Sequence, residues 1–214
     1  MASGEDLDIH PAEINTIITM LGMICAMVQA VTGIYAAYKK KRMGILKTND
    51  VLFRSHRAFG GFATTLYLLG LFAGLRGLFG GLFGVKGAPP VELNDPIYNI
   101  HSWPSFAVMV VVLVKTYLSY FKKKYLYRKV KGWLGVATFL AWAYTWITAA
   151  LAYYLRIGPP NDQFPPPSYL MPVYLLWLML SWPFLIGIGI SIPILWRAIQ
   201  IEKQKELKKT TKKE

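Results

Sequence analysis

The sequence predicts an all-α protein, a polytopic membrane bundle of five transmembrane helices with its N-terminus outside and its C-terminus cytoplasmic. Three observations predict it. Of the 214 residues 54% are hydrophobic, and the mean hydropathy is +0.35. The apolar residues fall into five long runs, each near the ~20 residues that a helix rising ~1.5 Å per residue needs to cross a ~30 Å hydrocarbon layer. The 24 Lys and Arg, which against 11 Asp and Glu give a formal charge of +13, lie mostly between those runs.

The first run, 14–38, follows His10-Pro11-Ala12-Glu13, where proline suits the first helical turn, and closes at Lys39-Lys40-Lys41-Arg42. Gly22, Ala26, Ala30, Gly33 and Ala37 recur every three or four residues and make one face smooth enough for close packing. The second run is 52–75. After it, the glycine-rich stretch from Arg76 to Gly84 reads as an interfacial loop, and Gly87-Ala88-Pro89-Pro90 and Asp95-Pro96 carry the chain onward. The third run, 103–121, ends at Lys122-Lys123-Lys124, and the fourth is 133–155. A loop with Gly158-Pro159-Pro160 and Pro165-Pro166-Pro167 leads to the fifth, 169–196, which Pro172, Pro183 and Pro193 should kink. The bundle thus occupies 1–196, and 197–214 is a basic cytoplasmic tail, helical at first and frayed beyond.

Orientation follows from the charges. With five crossings, all but Arg76, Lys86 and Arg156 of the 24 Lys and Arg fall on the side of the C-terminus, whereas Glu5, Asp6, Asp8, Glu13, Glu92, Asp95 and Asp162 fall on the other. Positive charge is retained on the cytoplasmic side, so the N-terminus is outside. The same count explains the basic balance through an anionic inner leaflet and gives no reason to invoke nucleic acid. The acidic start, Glu5-Asp6-Leu7-Asp8, is unlike a signal or transit peptide, so no cleaved targeting segment is expected.

Several chemistries lack their residues. The single cysteine, Cys25, excludes an intramolecular disulfide and a cysteine-based metal cluster. There is no phosphate-binding glycine loop followed by Lys-Ser/Thr and no His-Glu-x-x-His. The spans hold no Asp or Glu of the kind that proton- or ion-coupled transporters use.

Chemistry is therefore sought at the three histidines. His10 and His101 stand at the outer ends of helices one and three, and His56 at the inner end of helix two. Two imidazoles that share one haem must lie at one depth, which pairs His10 with His101 and leaves His56 as a separate inner candidate. Gly60 follows His56 on the same helical face, where a missing side chain leaves room for a flat macrocycle. Arg54 and Arg57 suit haem propionates, or more plainly phospholipid phosphates. Lys115, inside helix three, reads first as a snorkelling side chain and more sharply as a propionate or ligand contact. The plainer reading of interfacial histidines is headgroup hydrogen bonding or helix capping. The aromatics of helix four are read first as interfacial belt and packing, and second as a quinone or haem pocket.

His10-Pro11, His56-Arg57-x-x-Gly60 and His101 together resemble the small di-haem transmembrane b-type cytochromes, the ascorbate-dependent cytochrome b kind and their uncharacterised prokaryotic relatives. The likeness covers the first four helices. It implies a bundle in which odd-numbered helices ligate one haem and even-numbered helices another. Here the fourth helix begins Lys129-Val130-Lys131-Gly132-Trp133, without the histidine that should face His56. The resemblance thus implies haem b, one held by His10 and His101 and a second at His56, where the lost ligand leaves an unusual sixth ligand, a five-coordinate haem or an empty site as the alternatives. The expected function is electron transfer by a cytochrome-like subunit of a membrane redox complex, with quinone as a further candidate cofactor, other membrane or electron-transfer subunits as partners and a prokaryotic cell membrane as the location. The alternative is a cofactor-free accessory subunit of a larger membrane complex.

Overall fold

The computed structural model describes residues 11–39, 51–82, 96–120, 126–156 and 175–211. Among these the chain forms five long α-helices and no strand: α1 Pro11–Tyr38, α2 Val51–Leu82, α3 Pro96–Tyr120, α4 Leu126–Arg156 and α5 Leu176–Thr210. Each contains a stretch long and apolar enough to cross a membrane, which makes this an integral multi-pass membrane protein by length and composition.

The helices exceed the apolar runs that announce them. Pro11 opens α1 and Pro96 opens α3, each at the first helical position, where a missing N–H costs nothing. The stretch expected to form a loop after Leu75 is instead helical to Leu82. Near a hydrocarbon layer, leaving a backbone group unpaired costs several kcal/mol, whereas each glycine in a helix costs only about 1 kcal/mol, so the helix continues through Gly77, Gly80 and Gly81. α4 takes in the basic residues before Trp133, and α5 runs unbroken through Pro183 and Pro193 into the tail. The expected start of that helix, Tyr169 to Pro172, lies outside the described residues.

α1 is the central helix. It packs against α2, α4 and α5, while α3 packs against α4. Successive helices are antiparallel: Thr32 and Gln29 of α1 meet His56 and Gly60 near the start of α2, and Asn15 meets Gly70 further along. α2 and α3 make few close backbone approaches and are joined by a side chain, the Tyr67 hydroxyl donating to the Ser105 carbonyl at 2.6 Å.

The core is keyed by one indole. Trp142, 2% exposed, lies across Gly22 of α1 and meets Tyr67 of α2 edge-on, with ring centroids 5.6 Å apart. Trp146, a turn further along α4, is fully buried and donates its Nε1–H to the Leu180 carbonyl at 3.0 Å. On the other side of α1, Gly187 admits Met27: an added Cβ there would stand 2.6 Å from the Met27 Cβ. Close approach at small residues is the expected source of cohesion in lipid, where apolar contact between helices gains little over contact with acyl chains.

Most polar groups in the spans are satisfied within the bundle; the buried Tyr35 hydroxyl of α1 has no hydrogen-bond partner among the described residues. Thr19, Thr64, Thr116, Thr138 and Ser191 each donate to the carbonyl four residues earlier. Pro104 cannot donate to the Ile100 carbonyl, and the Tyr144 hydroxyl of α4 does so instead, at 2.5 Å. Exposed aromatics mark two levels. Trp177 and Trp196 on α5 are 80% and 64% exposed and stand about 28 Å apart along the axis, close to the ~30 Å hydrocarbon thickness. Trp133 and Tyr38 share the level of Trp196, and Trp103 that of Trp177, as interfacial belts require.

The Gly22 contact yields a test. Gly22→Ala places a methyl inside the Trp142 ring, which Tyr67 keeps from retreating, and is expected to destabilise the folded protein by roughly 1–3 kcal/mol. Gly74→Ala, at an exposed helical site with nothing within 4 Å, is expected to cause no loss and to stabilise by up to about 1 kcal/mol in the same thermal unfolding assay in detergent.

Candidate functional site

Two histidines occupy opposite ends of the bundle. His56, near the start of α2, faces α1, and its Nδ1 lies 3.1 Å from the Thr32 hydroxyl. His101, on α3, faces α4, and its Nδ1 lies 3.0 Å from the Thr148 hydroxyl. Measured along the axes through the Tyr67–Ser105 bond, the two rings are about 22 Å apart, too far to share one iron. His10 lies outside the described residues.

The threonine distances favour one tautomer for both rings. Thr32 sits 2.7 Å from the Val28 carbonyl, and Thr148 sits 2.8 Å from the Tyr144 carbonyl. A hydroxyl has a single proton, and in each case the carbonyl is nearer than the imidazole and can only accept. On these distances the arrangement assigned is one in which the threonine oxygen accepts from the ring and Nδ1 carries the hydrogen. In the neutral ring this leaves the lone pair on Nε2. An oriented Nδ1–H donor with Nε2 as the lone-pair nitrogen is how metal-ligating histidines are commonly held. Around His56 the arrangement is tighter, because Gly33 brings α1 against the ring: a Cβ there would stand 3.1 Å from Cε1.

Beside His56 lies a second polar element. Lys115 of α3, half-buried, donates from Nζ to the Gln29 side-chain carbonyl of α1 at 2.7 Å. Its ammonium thus turns into the bundle instead of snorkelling outward. The Gln29 amide crosses above Gly60, so close that a Cβ on Gly60 would overlap its nitrogen. The room expected beside Gly60 for a flat macrocycle is occupied by that amide, the far end of a flexible side chain. Arg54 and Arg57 are both exposed on α2, Arg54 on the side turned away from His56 and Gly60 and Arg57 on a flank beside Gly60. The aromatics of α4 divide as packing and belt: Trp142 and Trp146 are buried in the core, and Trp133 is 80% exposed at the bundle's end.

The residues that build these sites and were not singled out in the sequence are Gln29, Thr32 and Thr148. Gln29 carried a usable signal, since an amide in the interior of an apolar run must find a partner on another helix. The threonines carried none, being indistinguishable from others that merely bond their own helix.

No family model matches the chain, and neither a curated protein nor a solved structure matches it significantly.

The Lys115–Gln29 bond is testable as a double-mutant cycle. Gln29→Leu strands a half-buried ammonium and is expected to cost roughly 1–3 kcal/mol, and Lys115→Met alone strands the amide. The double variant, with neither group left unpaired, is expected to recover most of the loss in chemical or thermal unfolding.

Proposed function

We propose that this protein is a b-type cytochrome-like membrane subunit that holds one haem at the His101 end of the bundle and passes electrons within a membrane redox complex. The observation that carries the proposal is the His101–Thr148 pair, an imidazole on one span whose Nδ1 is anchored by a hydroxyl of the next span at 3.0 Å. His10, which precedes α1 on the same side as the start of α3, is the proposed second ligand. A bound haem supplies a one-electron iron couple. The chain's own part is to orient the imidazole through Thr148, to hold α3 to α4 through Tyr144 and the Ile100 carbonyl, and to keep the interior dry with Trp142 and Trp146.

At the other end the same tautomer recurs on His56, but the crowding by Gln29 and Gly33 argues for a single haem. The charge distribution supports a C-terminus and Lys115 end facing the cytoplasm, with the N-terminus outside.

The test is a dithionite-minus-oxidised visible spectrum with a pyridine haemochrome assay on the detergent-purified chain, expressed with ample haem. About one b-type haem per chain is expected. It should be lost in His10→Ala and in His101→Ala and retained in His56→Ala, and Thr148→Val should weaken haem retention by about 10–100-fold. A folded, colourless protein would overturn the reading and leave a cofactor-free accessory subunit in its place.

A further inference from the structure

We infer that Lys115 and Gln29 form a cradle for one carboxylate ligand near mid-depth in the bundle, the ammonium and the amide nitrogen each donating to one of its oxygens. The inference is independent of the haem proposal. Lys115 stands fourteen residues along α3 from His101, about 21 Å, beyond the propionates of a haem held there.

Helix direction takes the ammonium deep. Lys115 is three residues from the end of the span that runs from Asn99 to Leu118. Side chains lean toward the N-terminus of their helix, which for α3 is the His101 end, so the stem of Lys115 carries Nζ away from the nearer membrane edge. There it meets the Gln29 side-chain oxygen at 2.7 Å. Gln29 is nine residues from the end of its span at Tyr38, and Gly60, over which its amide lies, is nine residues from the start of its own at Val51. Both counts place the bond about 13 Å inside the edge of a ~30 Å hydrocarbon layer.

The pair presents donors. An ammonium can only donate, so the amide oxygen must be the atom that faces it, and the amide nitrogen is turned to Gly60. Among the described residues Nζ has no other hydrogen-bond partner and Nε2 has none. The two nitrogens are at most about 5 Å apart, since the nitrogen and oxygen of one amide are separated by about 2.3 Å. A carboxylate, with two accepting oxygens, spans donors at that spacing. An ammonium at this depth is costly unless an anion matches it and is itself hydrogen-bonded, and Gln29 supplies that further bond.

The sequence places no carboxylate of the chain at this level. Of α1 to α4 only α1 carries an acid, Glu13, sixteen residues and about 24 Å from Gln29. The remaining acids precede α1, belong to connecting segments or follow Trp196, and Asp50 is bonded to Val51, about 14 Å along the axis from Gly60. A phospholipid phosphate stays at the headgroup level, about as far away. Lys115, Gln29, His56 and Gly60 are each partly exposed, whereas Ala26, Ala63 and Val112 in the next layer are buried. The cradle is thus open on one side and closed behind, and the sparse contact between α2 and α3 leaves a way in.

Saturation binding of radiolabelled decanoate, and separately of radiolabelled propionate, to the full-length protein in detergent tests the assignment. One carboxylate per chain is expected, displaced by the unlabelled acid and not by decanol or equimolar chloride. Tighter binding of decanoate identifies a lipophilic acid arriving from the bilayer, and equal binding a small water-borne one; both support the cradle. Lys115→Gln, which keeps a donor for Gln29 without the charge, should weaken binding about tenfold or more. Gly60→Ala, which displaces only the flexible end of Gln29, should weaken it several-fold with Lys115 intact. The Gln29→Leu/Lys115→Met double variant, expected to stay folded, should bind none, and Asp50→Asn should bind as the unaltered chain does. Absence of saturable binding, displacement by decanol or chloride, or undiminished affinity in Lys115→Gln would overturn the inference. So would binding that emerges only in Asp50→Asn, which would give the cradle to the chain's own carboxylate.

Discussion

The bundle depends on how closely α1 can be approached. Gly22 admits the Trp142 ring on one side and Gly187 of α5 admits Met27 on another, so α4 and α5 both settle against a helix whose small residues leave hollows. In lipid these fits matter more than in water, because exchanging acyl chains for leucines gains almost nothing and only better packing or a hydrogen bond favours association. Trp142 then relays the contact outward: Tyr67 meets its edge, and the Tyr67 hydroxyl reaches the Ser105 carbonyl, tying α2 and α3 to the same centre. Four helices are registered by one side chain and the glycine beneath it.

Once the apolar layer is fixed in this way, the polar residues have little choice of partner. Thr32 and Thr148 each lie within hydrogen-bond distance of both a carbonyl of their own helix and a histidine of another. Lys115 and Gln29 pair for the same reason, since an ammonium and an amide at this depth are each costly alone. The two ends of the bundle differ in what remains. Gln29 crowds the His56 end, whereas His101 sits between Thr148 and a proline-opened turn whose freed carbonyl is taken by Tyr144. Under the proposed function, this difference is the reason for placing one haem at the His101 end.

The five helices were legible because length and hydropathy are read directly from composition along the chain, and Pro11 marks the first helix start unambiguously. The end of α2 was not, because Gly77 to Gly81 signal a loop in water, while the membrane's demand for paired backbone groups overrides that preference. The site was legible in its histidines and not in their partners. His56 and His101 stand out as rare ionisable residues in apolar runs, but which threonine meets each depends on helix rotation, which sequence periodicity leaves open. Gly60 shows the same limit: the absence of a side chain was visible, and the side chain of α1 that takes its place was not.

The claim on which this account rests is that both rings are held as Nδ1–H tautomers by a threonine of a neighbouring helix. Nitrogen-15 magnetic resonance of histidine-labelled protein in lipid bilayers reads this directly. The account predicts that Nδ1 of His56 and of His101 resonates as a protonated nitrogen bonded to an acceptor, and that Thr148→Val shifts the His101 signals while leaving those of His56 in place. A proton found on Nε2 with an unprotonated Nδ1, at either ring, would contradict it.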